Sequence, residues 1–429
     1  MAVTDYLRIR EFERVSMQDG SQTYSVAGVE APPPRDELSR QVFGVLGLPI
    51  DAIGLEPSLK ALEAAIEKKE VFLLSTPNVN FLISSRVERR FRESLLMSDL
   101  CIVDGMPIAW IARLLGVPIK ERVTGADLFD ALKLDNRFDR PFRVFLFGGA
   151  DDVAARVGKT LNAQSCGLRC VGTLNPGVGT VDEMSSERII EAINASGADI
   201  LAVFLSAKKA QSWLLQNHDR LRIPVRAQFG ATINFEAGII NRAPLILRSA
   251  GLEWLWRVKE EPYLWRRYWA DGKSLLRLLL TGALPLAVDS LWTRLRSTRT
   301  GERIRIELRE DDDTVVVHFS GLAIAAHIDK AISAFREALG REKAIDVDVS
   351  SIRMLDPRFF GLLLMVRKQL RRRGQDLRLI RPSPAIIRAF RWNGFEFLLS
   401  NEIGGMEDPG RTAKRPRIEP STPCIVERD

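Results

Sequence analysis

The chain has 429 residues, with 62 Lys and Arg against 55 Asp and Glu, a net charge of +7. That length allows two or three domains of about 100–200 residues. A composition of 46% apolar and 27% charged residues excludes collagen, coiled coil and wholesale disorder, and the modest positive excess permits an anionic partner without identifying one. Three histidines (His218, His318, His327) and four cysteines (Cys101, Cys166, Cys170, Cys424) are scattered along the chain. No second Cys/His pair stands near Cys166 and Cys170 to complete a zinc site, so no metal or cofactor is expected and the thiols read as free.

Residues 1–39 are polar and irregular, with Pro32-Pro33-Pro34, and read as a disordered leader. The first ten residues lack the apolar core of a secretory signal. No apolar run reaches the roughly 18 residues of a spanning helix; the longest, 275–291, is broken by Arg277, Gly282, Pro285 and Asp289.

From 40 to 270 the grammar is strand then helix. Apolar runs at 71–74, 100–103, 144–147, 170–172, 200–205 and 225–229 each end in loop residues. Helices are predicted between them at 81–97, 151–163, 185–195 and 208–218. Continuous apolar runs are strands buried on both faces, so the fold class is α/β: a Rossmann-like, mostly parallel sheet with helices on both faces. Residues 271–301 form an amphipathic, membrane-proximal segment and linker. From 302 to 400 the pattern changes to a small α/β domain: a hairpin at 303–308 and 314–319, a helix at 329–339, a strand at 344–349, a helix at 358–373 stopped by Gly374, a strand at 377–380 and a helix at 383–391. Residues 401–429 read as a disordered tail.

Ligands of an open parallel sheet bind beyond the carboxyl ends of its strands. Thr76, Asn78, Asp104, Gly148 and Gly149 all fall there. Asp104, followed by Gly105, suits a general base that takes a proton from an attacking hydroxyl; equally, it suits a cap for the helix that begins near Pro107. Gly148-Gly149 offers backbone N–H groups to a phosphate, or simply a tight turn. Arg122 suits a bidentate bond to a diphosphate, or a surface pair with Glu121. Trp254, Trp256, Trp265 and Trp269, half the chain's eight tryptophans, alternate with Arg257, Lys259, Arg266 and Arg267. That mixture fits an interfacial membrane segment, or a terminal helix packing on the core. No nucleic-acid motif accompanies it, and no nucleic-acid partner is expected.

Taken together, these words resemble the WecG/TagA/CpsF glycosyltransferases of bacterial surface-polysaccharide synthesis. They are Val45-Leu46-Gly47-Leu48-Pro49-Ile50, Thr76-Pro77-Asn78, Asp104-Gly105-Met106-Pro107, Glu121-Arg122-Val123-Thr124-Gly125, Phe145-Leu146-Phe147-Gly148-Gly149, Arg242-Ala243-Pro244, Gly251-Leu252-Glu253-Trp254, Arg257 and Glu261-Pro262. The resemblance implies an inverting transfer, without metal, from a UDP-sugar such as UDP-N-acetylmannosamine to a polyprenyl-diphosphate-linked acceptor. It places the protein on the inner face of the bacterial cytoplasmic membrane. It makes Asp104 the base, sets Thr76, Asn78 and Arg122 at the substrate cleft, and assigns Arg257, Arg266 and Arg267 to an appendage that closes the site and handles the diphosphate. The family's Gly-x-Pro-Lys-Gln-Glu reads Ser206-Ala207-Lys208-Lys209-Ala210-Gln211 here, and its Gly-x-x-x-Asp ends in Asn234. Lys209, Gln211 and Asn234 stay among the substrate-binding candidates. Losing two such contacts costs on the order of 1–3 kcal/mol each if they are buried. The alternative reading is therefore a catalytically degraded sugar-nucleotide module that acts as an interaction protein.

The second block resembles a STAS domain through Asp346-Val347-Asp348-Val349-Ser350-Ser351-Ile352 and Leu355-Asp356-Pro357-Arg358-Phe359-Phe360-Gly361. Regulatory STAS domains usually carry a phosphorylatable Ser or Thr right after that Asp. Pro357 and Arg358 stand there instead, which implies docking, to another protein or to the first block, rather than a phospho-switch at this point.

Overall fold

The computed structural model describes residues 36–135, 140–150, 152–297 and 304–399. The leader's first 35 residues, residues 298–303 between the blocks, the tail and Cys424 lie outside them. The chain enters through a hairpin, β1 (Val42–Val45) and β2 (Leu48–Asp51), paired antiparallel. Its two-residue turn places Leu46 at φ 49 and Gly47 at φ 94, the doubly left-handed turn that suits the twist of a hairpin.

Then come α1 (Leu55–Glu67), β3 (Phe72–Ser75), α2 (Val79–Val87), α3 (Arg89–Met97), β4 (Leu100–Cys101), α4 (Met106–Leu114), α5 (Gly125–Leu134), β5 (Phe142–Gly148), α6 (Val153–Gln164), β6 (Leu168–Leu174), α7 (Glu187–Ala195), β7 (Ile200–Phe204), α8 (Ala207–Gln216) and β8 (Val225–Gln228). The six predicted apolar runs form one sheet in the order β4-β3-β8-β7-β5-β6, parallel throughout. β3, β7 and β8 are buried along their whole length, as two covering helix layers require. The single helix predicted at 81–97 is two: Glu88 is extended (φ −107°, ψ 113°). The break turns α3 so that Phe91 meets Phe81 edge-on at 5.2 Å.

Beyond β8 lie α9 (Thr232–Glu236), α10 (Leu245–Ser249), α11 (Glu253–Glu260), α12 (Trp265–Leu278) and α13 (Leu284–Ser297). A π-turn at Leu279–Ala283 joins the last two. Pro285 has no N–H to continue the i→i−4 ladder, and the helix absorbs the gap by widening one turn. The result departs from the short, broken amphipath expected at 275–291. Pro262–Thr293 is one helix of 32 residues, long and apolar enough by length and composition to cross a membrane, and little buried by the rest of the protein. One face, with Gly282, Ala283 and Leu286, is buried; Trp265, Trp269, Leu276, Leu280, Val288 and Leu291 point outward and are exposed.

The second block forms a four-stranded sheet, β9 (Arg305–Glu310), β10 (Thr314–Ala323), β11 (Ala344–Leu355) and β12 (Arg378–Ile380), ordered β12-β11-β10-β9. Only β9 runs antiparallel to its neighbour. The helices α14 (Ile328–Gly340), α15 (Pro357–Arg372) and α16 (Pro384–Trp392) accompany it. Asp356 caps α15 by accepting from the Phe359 N–H at 2.9 Å, with Pro357 at the first helical position, where no N–H is needed.

The two blocks share a core. Leu38, Val42 and Leu96 belong to the same apolar cluster as Phe359, Phe360 and Leu363 of α15. Charge is buried there as well. Lys368, 1% exposed, reaches Asp99 at 2.7 Å, Glu37 at 2.9 Å and the Ser98 carbonyl at 3.1 Å. Arg40 bonds Glu37 at 2.7 Å and Asp51 at 2.9 Å. Arg358 donates to the Val42 carbonyl at 3.0 Å.

Candidate active site

The carboxyl ends of β3 and β4 build the first part of the site. Thr76 follows β3 and is buried. Asn78 caps α2, its side-chain oxygen accepting from the N–H groups of Asn80 and Phe81 at 3.1 and 3.3 Å; its NH2 group remains as a donor. The Asp104 N–H donates to the Pro77 carbonyl at 3.1 Å, which ties the two strand ends together. Asp104 does not cap the following helix: the residue at the cap of α4 is Gly105, with no side-chain cap bond. A side chain at Gly105 would come within 3.5 Å of the Asn78 backbone, and one at Gly125 within 3.7 Å of the Thr76 hydroxyl. Both are ordinary packing distances, so Gly105 lies against the Asn78 loop and Gly125 against the Thr76 loop.

Arg122 completes this part. It does not pair with Glu121, whose carboxylate accepts from the Leu55 N–H at 2.7 Å. Its guanidinium donates to the Asp104 carbonyl at 3.3 Å and to Glu253 at 2.9 Å. Glu253 opens α11, so the Trp/Arg region is brought to the rim. Gly251, at φ 74, makes that approach feasible: any side chain there would lie 3.0 Å from the Met106 Cβ. Burial, and next the negative charge of Glu253, push the Asp104 carboxyl up to about 7, against the pull of Arg122.

A cleft of about 370 Å³ adjoins through Arg122. Arg242 and Arg248 enter it opposite Asp127 and Asp130. Arg242 bonds Asp130 at 2.5 Å, the Thr124 hydroxyl at 3.3 Å, and Asp127. Asp127 in turn completes a capping box with Thr124 at the start of α5. Arg242, Asp127, Asp130 and Glu253 were given no role by sequence reasoning. Thr124-x-x-Asp127 was legible as a capping box; that its Asp faces an arginine from beyond β8 was not. A larger cavity, about 440 Å³ and lined by Arg140, Phe142, Asp199 and Pro224, opens at the amino ends of the strands, the end where such sheets do not bind ligands.

The other candidates divide. Gly148 and Gly149, at φ 100 and 87, make the turn after β5. The Gly149 N–H donates to the Phe204 carbonyl at 3.1 Å, so that group is engaged within the fold. A side chain at Gly149 would meet Ile233 at 3.1 Å, which puts this turn beside Asn234. Arg257 lies over the Phe235 ring at 5.3 Å and bonds Glu261 at 2.5 Å, again close to Asn234. Lys209 bonds the Gly179 carbonyl at 2.8 Å. Gln211 is fully buried and donates to the Ser75 hydroxyl at 2.9 Å; it supports the end of β3 from behind. Arg266 and Arg267 are exposed on α12, lying over Trp265 and Tyr268, and are not drawn to the Asp104 rim. Among the described residues no three His, Cys, Asp or Glu side chains are grouped as metal ligands.

This rim can do acid–base chemistry on a hydroxyl beside a cleft lined by three arginines and three carboxylates, and the chain is similar in sequence to known proteins. The profile of the Glycosyl transferase WecG/TagA/CpsF family matches residues 43–287, and that of the Mlab, STAS domain family matches residues 306–400. The N-acetylglucosaminyldiphosphoundecaprenol N-acetyl-beta-D-mannosaminyltransferase of Bacillus spizizenii is 25% identical over 214 residues, 50% of this chain and 80% of that protein. The enzyme of the same name from Bacillus subtilis is 22% identical over 215 residues, 50% of this chain and 81% of that protein. The first match spans more than half of the chain and contains the whole rim: the chain belongs to the WecG/TagA/CpsF glycosyltransferase family, and it carries a STAS domain after the transferase block.

Proposed function

We propose that the protein moves a sugar, N-acetylmannosamine or a related hexose, from a UDP-sugar to a polyprenyl-diphosphate-linked acceptor at the membrane surface, with inversion. The observation that carries this reading is Asp104: a carboxylate pushed up to about 7, beside Thr76 and Asn78, at the carboxyl end of a parallel sheet. A base near neutral pH is well matched to a sugar hydroxyl. Asp104 takes the proton as the acceptor oxygen attacks the anomeric carbon, and UDP leaves with the bonding electrons. Arg122, Arg242 and Arg248, which pair with Glu253, Asp127 and Asp130 in the free protein, exchange those partners for the diphosphate. Thr76 and Asn78 orient the reacting sugar. The names of the Bacillus relatives support a lipid-diphosphate acceptor. The outward row of Trp265, Trp269, Leu276, Leu280, Val288 and Leu291, beside Arg266 and Arg267, supports a peripheral position on anionic lipid.

In the altered stretch Lys209 bonds the Gly179 carbonyl and Gln211 the Ser75 hydroxyl, so both side chains are held within the fold. The test pairs UDP calorimetry with transfer from a panel of UDP-sugars into membrane lipid extract. Bound UDP and acceptor-dependent UDP release are expected. No UDP binding and no turnover would leave the interaction-protein reading in place. Membrane attachment is checked separately by vesicle flotation: Leu280→Glu with Leu291→Glu is expected to move most of the protein into the soluble fraction while its melting curve stays at the parent's.

A further inference from the structure

Three segments distant in sequence meet at one point: the Leu46-Gly47 turn of the hairpin, the π-turn of the long apolar helix, and the end of α16 in the STAS domain. Asn393, fully buried, joins two of them. Its side-chain oxygen accepts from the Leu46 N–H at 2.7 Å, and its NH2 donates to the Gly44 carbonyl at 3.0 Å. Leu46 sits at φ 49, a conformation that non-glycine residues persist in only when their surroundings impose it; Asn393 supplies part of that imposition.

The third segment joins through Gly282. A Cβ there would lie 2.6 Å from the Trp392 carbonyl oxygen and 3.6 Å from the Leu46 side chain, so the helix backbone rests directly on the STAS domain. Ala283 and Leu286 beside it share one apolar cluster with Ala389 of α16 and with Ile108, Ile111 and Ala112 of α4. α4 begins two residues beyond Asp104.

We infer that the STAS domain is the seat of the apolar helix, and that Asn393 and the Trp392 carbonyl are positioning groups that set this helix against α4 and so fix the Asp104 loop for the lipid-linked acceptor. The last clause rests on the transferase reading; the seat itself does not. The geometry gives the domain a partner within its own chain, in place of a phosphorylatable residue after Asp356. It also accounts for a glycine in the middle of a helix, where glycine is otherwise unfavourable.

The experiment compares the full-length parent with Asn393→Ala and Gly282→Leu, which loosen the seat from its two sides. Hydrogen exchange is expected to quicken roughly tenfold or more over residues 279–291 and over α4 in both variants, as lost hydrogen bonds and packing lower the local opening cost. Exchange in α14 should stay at the parent's rate, which shows that the STAS domain remains folded. The KM for the lipid-linked acceptor is expected to rise several-fold, with UDP affinity unchanged. Parent-like exchange over 279–291 in both variants overturns the inference. So does faster exchange with an unchanged acceptor KM, because the helix would then position nothing. Should the parent transfer no sugar, the transferase reading fails by itself, and the seat is decided by exchange in 279–291 and α4 alone.

Discussion

Asp99 lies just before β4 and Asp104 just after it, and the protein treats the two carboxylates in opposite ways. Around Asp99 every charge has a close counterpart. Burial alone would push its carboxyl up, but Lys368, the Leu73 N–H and Arg40 outweigh burial and hold it below the ordinary range. Around Asp104 burial prevails, Glu253 adds repulsion, and Arg122 spends its bonds on a carbonyl and on Glu253. The Asp99 network joins two domains and has no reason to change its protonation. The Asp104 rim keeps a carboxylate in a costly state, and such sites are where acid–base chemistry is found. Burial of charge by itself therefore says little; the partners decide whether it holds a structure together or readies a reaction.

The largest expected effect removes the base. Asp104→Asn should slow acceptor-dependent UDP release by ~10²–10⁴-fold, with UDP affinity by calorimetry close to the parent's. A parent-like rate would show that the rim's unsettled carboxylate is not the base. Next, Lys368→Met should destabilise the protein by about 3–5 kcal/mol in urea unfolding, because Asp99 would lose its closest cation and Glu37 one of its three. A loss under about 1 kcal/mol would mean that Arg40 and Arg372 suffice, and that the network is less tightly specified than its geometry indicates.

The pH dependence of stability should separate the two sites by sign. For Asp104 the folded value is raised, so between about pH 4 and 7 the folded state holds a proton that the unfolded chain has released, and stability falls as pH rises through that window. Asp104→Asn should therefore be more stable than the parent at pH 8, with the difference closing near pH 4. For Asp99 the folded value is depressed, so its contribution is present above the ordinary carboxylate value and is lost only as pH falls below it. Equal slopes for parent and Asp104→Asn between pH 5 and 8 would contradict the contrast. The smallest effect is expected from Arg372→Ala. Its bond to Glu37 is 2.8 Å, but a third of its side chain is exposed, and partly solvated pairs contribute about 1 kcal/mol or less.

Much of the transferase block was legible in the sequence. Six apolar runs, each ending in loop residues, specify strands buried on both faces, and those runs form the parallel sheet. Thr76, Asn78 and Asp104 were placed at strand ends by the same pattern, and the structure brings them together. Apolar periodicity runs through Glu88 and predicts one helix over 81–97, while the change of direction that makes two is imposed by packing. In sequence the apolar run at 275–291 is broken by Arg277, Gly282, Pro285 and Asp289, yet the helix continues through all four. A π-turn accommodates the proline, and the STAS domain needs the glycine. Arg122 illustrates the limit for the site: its neighbour Glu121 was the evident partner in sequence, and Glu253 is the partner in space.

By itself the sequence determined the six strands of the parallel sheet, several of the helices between them, which loops lie at the rim, and that the two blocks differ in kind, since apolar periodicity and turn chemistry act over a few neighbouring residues. Only the tertiary structure decided how the blocks unite. Nothing in the sequence marks partners for the arginines and lysine at the end of α15, yet Arg367 and Arg371 bond Glu93 and Lys368 bonds Asp99 across the boundary. Asn393 has no pattern that marks it, yet it holds the turn at Leu46. Ion pairs and close backbone contacts between distant segments leave no periodic trace, because their partners are selected by where the completed core places them.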